Sequence, residues 1–122
     1  MRQIAAIIIA ALLPLSAAAD TARIESRDQF VALVRDRALH LTGIAGVVGV
    51  TLRVKPDGAI EGKASGSEVK GAWTWDNGLF CRNLVWGERD LGPNCQVVEK
   101  RGERLRFIAD RGQGQHADFR LR

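Results

Sequence analysis

Between positions 73 and 95 the chain gathers Trp73, Trp75, Cys81, Arg82, Trp86 and Cys95, its residues best equipped for chemistry. Indole rings at a pocket mouth stack on sugars and other flat apolar ligands, and in a core they fill volume. Both uses stay open here. Trp73 and Trp75 lie on one face of a strand, and pairing about Asn77-Gly78 sets them against Leu79 and Cys81. Arg82 shares strand parity with Phe80, Leu84 and Trp86. If that face is buried, the guanidinium must find a carboxylate or carbonyl oxygens, which makes Arg82 the foremost anion contact. The candidate ligand-binding set is therefore Trp73, Trp75, Arg82 and Trp86.

Other chemistries find little support. Cys81 and Cys95 lack CxxC spacing and are an even number, so they are expected to pair as a disulfide. Closing a loop of about 15 residues contributes roughly 3 kcal/mol in the chain-entropy model. Two histidines, His40 and His116, do not complete a zinc site of the usual type, and no metal is expected. Ser26, Ser65 and Ser67 sit at a helix cap and a turn, with no histidine and acid arranged around them as a triad. Asp76, Glu88 and Asp90 are the acids a hydrolase would use, and His116 and Asp118 share a strand face, yet no catalytic residue is assigned. Gly43, Gly46 and Gly49 follow a helical pattern and open a strand, the reverse of a dinucleotide fingerprint, so no cofactor is expected.

The elements that position these residues follow from periodicity. Ser26-Arg27-Asp28-Gln29 has the form of a capping box, and apolar residues at Phe30, Leu33, Val34, Ala38 and Leu41 predict a helix over Arg27 to His40. From Val48 the period becomes two. Strands are expected over Val48 to Val54, Ile60 to Ala64, Val69 to Trp75 and Leu79 to Trp86, and again over Cys95 to Lys100, Leu105 to Ala109 and Ala117 to Leu121. Gly87 to Asn94 and Arg111 to Gln115 read as irregular connections. The fold class is mainly β within α+β: an N-terminal helix packed on a strongly bent antiparallel β-meander, or a small partly closed barrel, of about seven strands.

Basic Arg2, the apolar run Ile4 to Leu15 with Pro14 near its end, and Ala17-Ala18-Ala19 ahead of Asp20 form a signal-peptide pattern. Residues 1–19 are expected to be removed after Ala19, leaving residues 20–122 as one domain in the periplasm or outside the cell. The apolar run is shorter than the roughly 20 residues needed to span a bilayer, so no transmembrane segment is expected after cleavage. The net charge of +4 is mild. Arg104, Arg106, Arg120 and Arg122 concentrate basic character near the end of the chain, which suits weak contact with anionic lipid or polysaccharide better than nucleic acid.

The stretch Gly71-Ala-Trp73-Thr-Trp75-Asp-Asn-Gly78-Leu-Phe-Cys81-Arg82, followed by Gly92-Pro-Asn-Cys95 and Arg111-Gly-Gln-Gly-Gln-His-Ala-Asp118, resembles a group of small exported bacterial proteins of about this length. The resemblance covers nearly the whole chain after residue 19. The group has no established activity, and some members carry the label dihydrodipicolinate reductase. That label implies NADPH-dependent reduction, but no position here matches that enzyme's glycine-rich motif, so no catalytic residue is carried over. The reading that follows is an exported, non-enzymatic protein that binds a small ligand or envelope component. The alternatives are the labelled reductase, or an inhibitor or partner of another secreted protein.

Overall fold

A computed structural model of the chain describes residues 3, 5–11, 21–43 and 49–122. Among these residues, nine strands and one α-helix run in the order β1 (Thr21–Arg23), α1 (Arg27–Val34), β2 (Leu39–Gly43), β3 (Thr51–Val54), β4 (Ala59–Ala64), β5 (Ser67–Asp76), β6 (Leu79–Trp86), β7 (Arg89–Arg101), β8 (Arg104–Ile108) and β9 (His116–Leu121). Strands β2 to β9 form an antiparallel up-and-down meander, and pairing of β2 with β9, Leu39 against Leu121, closes it into an eight-stranded barrel. Strand β1 pairs with Glu99 to Arg101 of β7, on the edge opposite β8. No helix among the described residues is long and apolar enough to cross a membrane.

The predicted helix is shorter than its periodicity suggests. Ser26 accepts a hydrogen bond from the Gln29 amide at 3.2 Å, and Gln29 Oε1 accepts one from the Glu25 amide at 3.1 Å, so the cap forms. The helix ends at Val34, and Asp36 adopts a left-handed φ of 56°. Beyond it, Ala38 exchanges backbone hydrogen bonds with Arg122, and Leu39 to Gly43 are strand rather than helix. Leu39 and Leu41 satisfy a period of two as well as the helical spacing does, and the ladder with β9 decides between them. This additional strand turns a partly closed sheet into a closed one.

Two further expectations shift. Gly87 to Asn94 is a tight turn followed by the start of β7, not an irregular connection. Pro93 is tolerated because β8 pairs only with Val97 to Arg101, leaving that half of β7 without a second neighbour. The Asn77-Gly78 turn joins Asp76 to Leu79, so Trp75 opposes Phe80 and Trp73 opposes Arg82, one position from the expected register. Positions 12–20, with the expected cleavage site after Ala19, lie outside the described residues, as do Gly46 and Val48.

The core is built around an aromatic cluster, and several of its residues, Phe80, Phe107 and Phe119 among them, also wall the interior cavity. Phe30 of α1 is fully buried, its ring 5.2 Å from Trp73, 5.2 Å from Trp75 and 5.0 Å from Phe80. Phe107 and Phe119 continue the aromatic cluster. The Trp73 and Trp75 indoles donate to the Lys55 and Glu25 carbonyls, so these rings meet both their apolar and polar requirements.

Candidate functional site

Alternation along β6 sorts its side chains. Phe80, Arg82, Leu84 and Trp86 face the interior, and Cys81, Asn83 and Val85 lie on the outer face. Cys81 therefore meets its cross-strand partner Cys95 outside the barrel, with Cα atoms 3.9 Å apart, and the two form the disulfide. The bond clamps β6 to β7 and is not packed against the tryptophans, as the displaced register had suggested.

The interior away from α1 is not filled. It holds a cavity of about 360 Å³ whose walls include Leu52, Leu84, Trp86, Phe107 and Phe119. The space exists because the inward positions of β4 and β5 in this half are small: Gly62, Ala64 and Gly71. A Cβ at Gly71 would run into the Asn83 carbonyl oxygen, and one at Gly62 into that of Thr51, so close approach of neighbouring strands requires both glycines. An eight-stranded barrel encloses just enough room either for side chains or for one small ligand.

Arg82, Gln96, Gln115 and His116 are the polar residues of the lining. Arg82 Nη1 donates to the Gly92 carbonyl at 2.9 Å. Gly92 has a left-handed φ of 72° beside a register shift between β6 and β7, and Asp90 Oδ1 accepts its amide at 2.8 Å. A bulge thus presents a carbonyl to the guanidinium. Among the described residues Arg82 forms no ion pair. Burial pushes its pKa below the ordinary arginine range, yet a guanidinium keeps its proton, so the positive charge stays on the cavity wall.

The neighbouring polar groups are structural. Gln96 donates to Asn94 Oδ1 at 3.2 Å, Asn94 donates to Asp110 Oδ1 at 2.8 Å, and the Asp110 amide returns a bond to Asn94 at 3.1 Å. The chain of bonds fastens the connection between β8 and β9 to β7. Trp86 Nε1 donates to the Ala64 carbonyl at 2.8 Å, and Leu91, 42% exposed, adds an apolar side chain to the lining. His116 is half exposed, its Nε2 3.9 Å from Asp118 Oδ2.

Of the four residues proposed from sequence, the cavity brings together Arg82 and Trp86, whereas Trp73 and Trp75 belong to the aromatic cluster around Phe30. Gln96 was missed, although it shares inward parity with Val98. Asp76, Glu88 and Asp90 do not line the cavity. Among the described residues no group of three or more His, Cys, Asp or Glu side chains could hold a metal ion.

No protein-family model, curated protein or solved structure matches the chain.

The basic residues near the end of the chain divide by role. Arg106 Nε and Nη2 bond to Asp118 Oδ1 and Oδ2 at 2.8 and 3.0 Å, a bidentate pair that holds the Asp118 carboxyl below its ordinary 3.8. Arg106 is therefore already engaged. Arg104 lies in register with Arg101 on one side and Arg120 on the other, and Arg122 is exposed. Like charges in direct cross-strand register repel, so this row gains from any anionic counter-surface.

Proposed function

We propose that this chain is an exported, non-enzymatic binding protein that holds one small, largely apolar ligand inside its barrel. The observation that carries this reading is the cavity of about 360 Å³, within the size range of small-molecule sites and walled by apolar side chains with a few polar groups. Export is supported by the basic-apolar-small pattern of residues 1–19 and by the Cys81–Cys95 disulfide, which suits an oxidising compartment. In this reading α1 acts as a plug, with Phe30 sealing one end and leaving the other to admit the ligand. The acids a hydrolase would draw on stand away from the lining, which favours binding over turnover.

Native mass spectrometry of the protein processed and exported by a bacterial host tests the reading. An adduct of a few hundred daltons that survives desalting, on a chain beginning at Asp20, supports it. A bare chain whose melting temperature is moved by neither fatty acids nor other small hydrophobes contradicts it. NADPH is expected to leave the melting temperature unchanged, since a bound cofactor at 100 times its dissociation constant would stabilise by about 2.7 kcal/mol.

A further inference from the structure

We infer that the ligand of the barrel interior is an amphipathic monoanion, an aliphatic carboxylate whose head group is held by the Arg82 guanidinium and whose chain lies against the apolar walls. This rests on the reading that the cavity binds a ligand at all. Its own argument begins with a contrast between two partly covered arginines, Arg106 and Arg82. Arg106 is matched by Asp118 in a bidentate pair. Arg82 is directed into the barrel, and its hydrogen bond is to one carbonyl, that of Gly92 at 2.9 Å. A guanidinium has five N–H donors in a fork that fits a carboxylate with two parallel bonds. Among the described residues no carboxylate stands within ion-pair distance of it.

A partly buried cation on a cavity wall shared with Leu52, Leu84, Phe80 and Trp86 is costly unless a counter-charge joins it. An anionic ligand supplies that charge and a neutral hydrophobe does not. A cationic amphiphile would add repulsion, and a sugar would find too few partners on walls of leucine and phenylalanine. Size narrows the class further. A cavity of about 150 Å³ holds benzene, with its six carbons, so by proportion about 360 Å³ accommodates roughly fourteen non-hydrogen atoms. Dodecanoate is a carboxylate of that size.

The test titrates the oxidised protein at neutral pH with dodecanoate, dodecanol and dodecyltrimethylammonium, using calorimetry, and repeats the series with Arg82→Met and Arg82→Lys. Dodecanoate is expected to bind at least tenfold more tightly than dodecanol, and the trimethylammonium compound more weakly still. Arg82→Met is expected to weaken dodecanoate at least tenfold while leaving dodecanol unchanged or tighter. Arg82→Lys keeps the charge and retains part of the preference. Equal affinities for dodecanoate and dodecanol in the unsubstituted protein would overturn the anion assignment and leave the cavity reading standing. Absence of binding by all three would overturn both. The unsubstituted series decides the matter even if Arg82→Met fails to fold.

Discussion

Along the paired strands β5 and β6 the inward positions run Trp75 with Phe80, Trp73 with Arg82, Gly71 with Leu84 and Val69 with Trp86. The first rung is aromatic on both strands and is capped by Phe30. The third has a glycine on one side. One ladder with one alternation thus builds a packed stretch and a hollow one, with Arg82 between them and Phe80 touching both the aromatic cluster and the cavity. Closure of the barrel alone does not make a cavity. Residue size at successive inward positions decides whether the interior becomes core or site.

The largest expected effect lies in the packed half. Phe30→Ala removes a fully buried ring in contact with Trp73, Trp75 and Phe80, and should cost about 3–5 kcal/mol in denaturant unfolding, or leave no folded protein. Little loss would mean that the two halves do not differ in packing. Next is the clamp on the outer face: Cys81→Ser with Cys95→Ser should cost about 3 kcal/mol, read as a lower melting temperature, while ligand affinity measured well below that temperature is kept.

A smaller effect sharpens the contrast from the hollow side. Ala64→Leu places three more carbons into the cavity and should change stability by no more than about 1 kcal/mol, because the space is already there. The same change should weaken binding in the interior about tenfold, whereas Val34→Phe in the packed half should destabilise by about 1–3 kcal/mol.

The smallest effect concerns the outer surface. Arg106 holds the Asp118 pKa below 3.8, so the pair contributes fully above pH about 4, and its contribution is lost as pH falls through the depressed native value. Asp118→Asn should cost only about 0.5 kcal/mol at neutral pH, since the pair is partly exposed, and should flatten the loss of stability on acidification. A flat acid limb in the unsubstituted protein would remove the pair from the account.

Local features of this architecture were legible in the sequence, and its closure was not. The Ser26 cap, the Asn77-Gly78 turn and the alternation through β5 and β6 are each set by residues within a few positions of one another. The β2–β9 ladder joins Leu39 to Leu121 across most of the chain, and nothing local announces it. The start of β7 was hidden by Gly92 and Pro93, which punctuate loops in most sequences and here sit in a bulge on a half-strand with one neighbour. The parity of β6 does put Arg82 and Trp86 on the strand face that lines the cavity. The fate of Trp73 and Trp75 depended on where Phe30 packs, a tertiary choice that alternation does not encode.

The most direct test uses the three indole N–H signals of the protein in a nitrogen-proton correlation spectrum, recorded while dodecanoate is added. A ligand inside the hollow half should move the Trp86 indole and the Arg82, Leu84 and Gln96 amides, leaving the Trp73 and Trp75 indoles in place. Shifts confined to the outer Arg104 and Arg120 face, or no shifts at saturating ligand, would contradict an interior binding site.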